Sequence, residues 1–372
     1  MLRAAGWSLL ATAAGATPAP GLVARAGAAS GAGATFAFGN NAAGRSDALP
    51  MMAWPQQLPD HLQFLGSGDT GTGTSAIVAR VRLFGDMHFG FTSAARLAAV
   101  AADLAQLPPP DALLSTGDDT HFGTPAEYAA AVSWLGQWNL PFYTVTGNHT
   151  FWNASLRRRE TSATLYERFQ QTWGQSMPYS WEVGGLRFVA TGPTEAGATP
   201  TGASITPAQI DDLAGMLAQA PSQPTVVVLH SPLHHTVLGD GGPPNSVYTS
   251  DDFGFYQVHG DQLRSVLAGA PQVALVINGH THSPLLAHGL LSLVPTGDHL
   301  VPQFNAMALP FVRRDVPHVP PCKQDLVTWE LAITPDSILL TGRDHLAQQD
   351  VARIAIPLPA HLPGVAAAGQ EL

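Results

Sequence analysis

The sequence predicts an α/β fold with an open sheet and a ligand site at the C-terminal ends of its strands. Three observations predict it. Short β-branched, apolar runs alternate with amphipathic helical stretches, so that the first half reads β-α-β-α-β. Each of those strands, and two later ones, stops at a polar stretch, where open α/β sheets place ligands. The clearest such end is Ile277-Asn278-Gly279-His280-Thr281-His282, which follows the buried run Val273-Ala274-Leu275-Val276 with two histidines two residues apart.

The 372 residues suffice for one large domain or two small ones with a full core. Met1-Leu2-Arg3 and the Ala-rich segment to Ala16 read as a secretory signal peptide with a small-residue cleavage site at Ala14-Gly15-Ala16, or else as an Ala/Gly/Pro tail. The first reading places the protein in a secreted or periplasmic compartment, the second in the cytoplasm. Residues 17–50 are Ala/Gly/Pro/Thr-rich linker, so residues 1–50 are set apart from a single domain over 51–372. Within 51–75, Met51 to Trp54 and Leu62 to Leu65 carry enough apolar content to pack on that domain.

A strand is expected over 76–84, ending at Gly85-Asp86-Met87-His88. A helix over 92–107 shows the stripe Leu97, Val100, Ala101, Leu104 and Leu107, and Pro108-Pro109-Pro110 ends it. The strand 111–116 stops at Gly117-Asp118. The capping box Thr124-Pro125-Ala126-Glu127 opens a helix to about 137. The strand 141–145 stops at Gly147-Asn148-His149. There follow a polar helix over 162–173, a hairpin 179–183/186–190 turning at Gly184-Gly185, and a helix over 208–218. The strand 225–229 ends at His230, a helix covers 262–268, and the strand 273–277 leads to Gly279-His280. Strands 326–333 and 337–341 close the chain as an antiparallel pair.

Charge and cysteine narrow the function. The formal net charge is -10 and Lys323 is the one lysine, which argues against a nucleic-acid or anionic-membrane surface. The patch Arg157-Arg158-Arg159 reads as a solvated helix start. With the single cysteine Cys322 in a Pro-rich loop, no intramolecular disulfide forms and no N-terminal lipid attachment site exists. No apolar run is long enough to span a bilayer.

The five strand ends carry Asp86 and His88, Asp118, Asn148 and His149, His230, and His280 and His282. Oxygen and imidazole donors without thiolate suit Mn, Fe, Zn or Co. They are too many for one tetrahedral ion and enough for two ions sharing a carboxylate. Asp-x-His, Gly-Asp, Gly-Asn-His, a lone strand-end His and Gly-His-x-His, in that order over about 76–345, resemble the calcineurin-like metallophosphoesterases. The resemblance implies a two-sheet β-sandwich flanked by helices. It also implies one metal on Asp86, His88, Asp118 and His282, and a second on Asp118, Asn148, His230 and His280, with Asp118 bridging. Two ions about 3.5–4 Å apart acidify a bridging water and clamp phosphoryl oxygens for in-line attack. His149 would then be no ligand but the catalytic group facing the leaving group.

Two features depart from the family or compete with its motifs. The residue after Gly-Asn-His, usually acidic in that family, is Thr150, so the group that orients His149 is missing from the motif. His121 stands three residues after Asp118, where the purple acid phosphatase branch has a metal-binding tyrosine; a substrate or supporting role competes there with a plain loop residue. His234 and His235 are close enough to His230 to line the pocket. His259, His288, His299 and His318 carry no spacing signal. Gly68-Asp69-Thr70-Gly71 mimics the first motif but precedes the strand 76–84 and is rejected. Of the glycosylation triplets, Asn148-His149-Thr150 is expected to be buried, and Asn153-Ala154-Ser155 matters only in a eukaryotic secreted protein. The expected function is hydrolysis of small phosphate mono- or diesters, with the loops 192–207, 236–254 and 312–323 setting the choice. The alternative is a non-catalytic binding scaffold of the same fold. A metallo-β-lactamase-type hydrolase is discounted because His-x-His-x-Asp-His is absent.

Overall fold

The computed structural model describes residues 63–65, 76–154, 160–199, 201–237, 250, 254–282, 290–296, 299–310 and 326–359. The leader and linker, Gly68 to Gly71, Arg157 to Arg159, His288, His318, Cys322 and the loop 312–323 lie outside them. Among the described residues no helix is long and apolar enough to cross a membrane.

In chain order the elements are β1 (Gln63–Leu65), β2 (Ala79–Phe84), α1 (Ala94–Leu104), β3 (Ala112–Ser115), α2 (Pro125–Gly136), β4 (Phe142–Tyr143) and a 3-10 turn at His149–Phe151. There follow α3 (Ser162–Trp173), β5 (Tyr179–Val183), β6 (Leu186–Ala190), α4 (Pro207–Ala218), β7 (Thr225–Val228), α5 (Gly260–Ala268) and β8 (Val273–Asn278). The hairpin β9 (Leu291–Thr296) and β10 (His299–Asn305) precedes β11 (Val327–Ile333), β12 (Ser337–Asp344) and β13 (Gln349–Pro357).

Local chemistry sets the helix starts. Thr124 accepts from the Glu127 N–H at 3.3 Å while Glu127 accepts from the Thr124 N–H at 3.0 Å, the reciprocal bond that caps α2. Thr206 and Gln209 repeat the device at α4, again with proline in the first turn.

The strands form two sheets, β1-β13-β12-β11-β2-β3-β4 and β5-β6-β7-β8-β10-β9. In the first, β2, β3 and β4 are parallel while β11, β12, β13 and β1 continue antiparallel. In the second, β6, β7, β8 and β10 are parallel, with β5 and β9 antiparallel at the edges. Their inner faces make one apolar layer: Val81, Leu83, Trp329 and Leu331 meet Phe188, Val226, Leu275 and Phe304. The period of two sends Val189 and Val227 to the other face, where Leu213 and Leu217 of α4 and Leu263 and Leu267 of α5 cover them. Val100 and Leu104 of α1 and Ala131 and Leu135 of α2 cover Phe84 and Leu113 in the same way. The result is the two-sheet sandwich with helices outside.

Two differences from the sequence reading stand out. The β9/β10 hairpin was not expected; Pro295 and Pro302 sit inside its strands, and a residue without an N–H breaks a strand pattern. The closing pair is a larger meander, because β13 pairs with β12 and then with β1.

Candidate metal centre

β2, β3, β7 and β8 are neighbouring parallel strands of the two facing sheets, so their C-terminal ends meet at one rim of the sandwich. The loops there bring together Asp86, His88, Asp118, Asn148, His149, His230, His280 and His282. All are buried except His282, whose side chain is 19% exposed. Four of them, His88, Asp118, His280 and His282, have φ between 47° and 72°. This left-handed region costs a non-glycine residue of the order of 1–3 kcal/mol and gathers at functional sites.

Two donor groups form around Asp118. In one, His230 Nε2 lies 3.2 Å from Asp118 Oδ2, 3.3 Å from Asn148 Oδ1 and 3.1 Å from His280 Nδ1. In the other, His282 Nε2 lies 2.9 Å from His88 Nε2 and 3.0 Å from Asp86 Oδ2, and His88 Nε2 is 3.9 Å from Asp118 Oδ2. Each group could hold a metal ion, as could His88, His121 and His149 together.

Main-chain groups set the orientation of the rings. His230 Nδ1 donates to the Thr116 carbonyl at 2.8 Å and His280 Nε2 donates to the Gly254 carbonyl at 3.0 Å, which turns His230 Nε2 and His280 Nδ1 toward each other. A second tie of this kind is what ligating histidines need to fix their tautomer. Asp86 accepts the His280 N–H through both oxygens, at 3.1 and 2.9 Å, and Asp118 Oδ1 accepts the His149 N–H at 2.9 Å. The glycines of the two later motifs serve close approach: a Cβ at Gly147 would collide with Asp118 Oδ1, and one at Gly279 with Asp86 Oδ1 and Thr116 Oγ1.

The electrostatics demand a positive charge in the cluster. Burial alone would lower His230, yet the adjoining Asp118 carboxylate raises it to about 9. Burial alone would raise Asp118, yet His230 and His149 hold it well below the usual carboxylate range. Burial, with His230 alongside, lowers His280 to about 4. The carboxylates therefore favour positive charge on the His230 side, which a proton on that ring or a bound cation in its place would supply, while His280 is a neutral donor. The donor set fits hard or borderline divalent ions.

The calcineurin-like phosphoesterase profile matches residues 79–284, more than half of the chain. The chain belongs to the calcineurin-like phosphoesterase family. No curated protein matches the sequence. Among solved structures, a dimetal phosphatase from Danio rerio superposes with a TM-score of 0.52 at 12% identity, over 76% of this chain and 100% of that one. The purple acid phosphatase PPD1 from yellow lupin gives 0.51 at 15% identity, over 75% of this chain and 53% of the lupin protein. At these identities the structural likeness speaks for the fold.

Against that family's pattern, the structure shows what replaces the acidic residue after Gly-Asn-His. Thr150 Oγ1 accepts the Gly147 N–H at 3.2 Å and tightens the motif's turn. His149 is oriented instead by the His121 carbonyl, which accepts from Nδ1 at 2.7 Å, and by the Trp152 ring stacked on it at 4.0 Å and 15°. Burial lowers His149 despite the nearby Asp118. His121 thus supports this cluster through its backbone, while its ring stacks on Phe91 at 4.6 Å and its Nδ1 is 3.5 Å from His88 Nδ1. His234 and His235 stack on each other at 3.6 Å, and His234 stacks on Tyr256 at 4.2 Å; neither belongs to the three donor groups. The sequence reading missed Thr116, Gly254 and Trp152. The first two act through carbonyls, which carry no residue signal.

Behind the cluster, Asp119 is buried and pushed up to about 7 by desolvation, against the hydrogen bonds from Ser115 at 2.6 Å and Thr144 at 2.9 Å. It lies next to Asp118 in the chain and braces the loop that presents it.

Proposed function

We propose that the protein is a metal-dependent phosphoesterase that hydrolyses small phosphate mono- or diesters at a dinuclear centre, with residues 51–372 as one catalytic domain. The observation that carries the reading is that two donor groups, each with paired imidazoles, flank the one carboxylate of Asp118. Asp86, His88, Asp118 and His282 would hold one ion and Asp118, Asn148, His230 and His280 the other, drawn from Mn, Fe, Zn or Co. Bound there, such ions supply Lewis acidity to phosphoryl oxygens and lower the pKa of an attacking water.

The protein's own groups do the rest. Asp118 turns Oδ2 toward both groups while Oδ1 accepts the His149 N–H, and Asn148 adds a neutral oxygen that leaves room for an anionic substrate. The Thr116 and Gly254 carbonyls keep His230 and His280 in the donating tautomer. His149, with its Nδ1–H committed to the His121 carbonyl, presents Nε2 to the leaving-group side; the neutral ring accepts a proton there, and it gives one to the leaving-group oxygen only as the imidazolium, a form that burial disfavours. The alternative is a metal-bearing or metal-free binding scaffold; such relatives usually lose donors, and here every donor is retained.

The test is hydrolysis of 4-nitrophenyl phosphate and bis(4-nitrophenyl) phosphate by protein stripped and reloaded with each metal, with metal content measured on the same sample. Turnover at about two metals per chain is expected. Two bound metals with neither ester cleaved would favour the scaffold, and no metal uptake would overturn the ligand assignment.

A further inference from the structure

A cavity of about 380 Å³ lies away from the metal centre, on the outer face of the first sheet where β11, β12 and β13 continue past β2. Arg80 and Arg82 of β2, Arg343 of β12 and Arg353 of β13 reach into it from a chain that has only 17 basic residues. The sheet register makes the arrangement regular. Arg82 pairs with Glu330, Glu330 with Thr341, and Thr341 with Arg353, so one cross-strand row runs Arg82-Glu330-Thr341-Arg353. At about 4.8 Å per strand the row spans about 14 Å. Thr341 lies on the floor between Glu330 and Arg353.

The charges in this groove do not balance. Arg80 and Arg82 share the single carboxylate of Glu330. Arg343 takes Asp103 with two parallel bonds of 2.9 and 2.8 Å and also reaches Asp350, which Arg353 contacts at 3.0 Å. Four guanidinium groups thus face three carboxylates. Asp111 binds the Arg80 backbone N–H at 2.8 Å rather than a guanidinium. The side chain of Arg82 is 3% exposed, and among the described residues its one hydrogen bond goes from Nη2 to Glu330 at 2.9 Å. Its remaining N–H groups keep some contact with solvent, so an acceptor that enters the groove can reach them. The Thr341 hydroxyl bonds to no described residue. Leu107, Pro108 and Leu339 supply an apolar wall beside these donors.

We propose that this groove binds a small organic oxyanion, with a carboxylate or phosphoryl head over Thr341 between Arg82 and Arg353 and an apolar body against Leu107, Pro108 and Leu339. The size suits such a ligand, since pockets for small molecules begin near 300 Å³. The fork geometry of arginine favours a planar or tetrahedral oxyanion over a halide. The site is separate from the chemistry assigned to the metal centre and stands whether or not that chemistry does.

Calorimetric titration of the full-length, metal-loaded protein with benzoate and with phenylphosphonate tests it, and benzyl alcohol serves as the uncharged control. The expected result is one saturable equivalent of at least one of the anions, with no binding of the alcohol; the anion that binds identifies the head. Arg353→Gln, at a partly exposed position that tolerates change, and Thr341→Glu, which sets a carboxylate in the groove, should each weaken that equivalent by tenfold or more. Anion held at the metal centre would appear as a separate equivalent that persists in both variants. The proposal is overturned if neither anion binds beyond that equivalent, or if both folded variants bind as the wild type does.

Discussion

Gly147→Ala places one methyl group against the shared carboxylate, and its effect can be worked from distances. A Cβ there would overlap Asp118 Oδ1 and stand 2.9 Å from Asp118 Cγ and 2.8 Å from His230 Nε2, where ordinary contact begins at 3.4 Å. The backbone at Gly147 has no positive φ, so alanine is locally permitted and the chain should fold. The Asp118 carboxylate must then retreat by about 1 Å, and a displacement of about 1 Å in a catalytic arrangement costs about 10²-fold in rate. That factor corresponds to about 2.7 kcal/mol of transition-state stabilisation. We expect kcat/KM on a chromogenic phosphate ester to fall by about that factor, with reduced metal content and, when both proteins are stripped of metal, a thermal unfolding curve close to wild type. Gly215→Ala in α4 is the control: nothing lies within 4 Å of its Cβ, and a helical Gly to Ala change should stabilise by about 0.5–1 kcal/mol. A Gly147→Ala variant with wild-type kcat/KM and about two metals per chain would refute the placement of Asp118 at the heart of the site.

Other substitutions probe separate links. Asp118→Asn should abolish turnover and drop metal content measured by atomic spectroscopy, because one amide cannot give two anionic oxygens; an active, fully loaded variant would remove the bridging role. His149→Ala should keep both metals and lower turnover by about 10²–10⁴, the range for a positioned acid or base. Asp103→Asn should lower stability by about 3 kcal/mol, the usual cost of stranding one partner of a buried ion pair, read by urea unfolding at neutral pH. The hydrogen bonds from Arg343 hold the folded Asp103 below the ordinary carboxylate value, against burial and with help from His345. The contribution is therefore present above that ordinary value and lost as pH falls through the depressed one. The gap between wild type and Asp103→Asn should stay constant near neutrality and close in acid.

Elements whose ends are set by neighbouring residues were legible. The polar helix 162–173 and the hairpin 179–183/186–190 have the bounds the sequence suggested. Thr161 accepts from Thr164 at the helix start, and Gly174 at φ 67° ends it. The β9/β10 hairpin was not legible, because its prolines are tolerated only through pairing partners distant in sequence. The residues that converge at the rim were readable because five strands end in polar motifs in one order. What holds those residues was not readable. Carbonyls of Thr116, His121 and Gly254 orient three imidazoles, and any residue type has a carbonyl. The left-handed backbone at His88, Asp118, His280 and His282 was equally hidden, since aspartate and histidine, though enriched in that region, adopt it in only a minority of cases.

The cost of this cluster is itself an argument about what it is for. Four residues in a strained backbone region, at the order of 1–3 kcal/mol each, would consume most of a typical domain's net stability of about 5–15 kcal/mol. Imidazole nitrogens facing each other at 2.9 and 3.1 Å add repulsion unless a proton or cation stands between them. Apolar residues at the same buried positions would remove both penalties and keep the sandwich, because Val81, Leu83, Phe188 and Leu275 already make its core. A stability role therefore does not account for the arrangement, whereas cation binding would: a cation between the facing nitrogens would replace their repulsion with attraction and stabilise the folded state with the logarithm of the ligand excess. Chelation should then lower the unfolding temperature of this protein as well as stop its chemistry, and reloading with metal should restore both together.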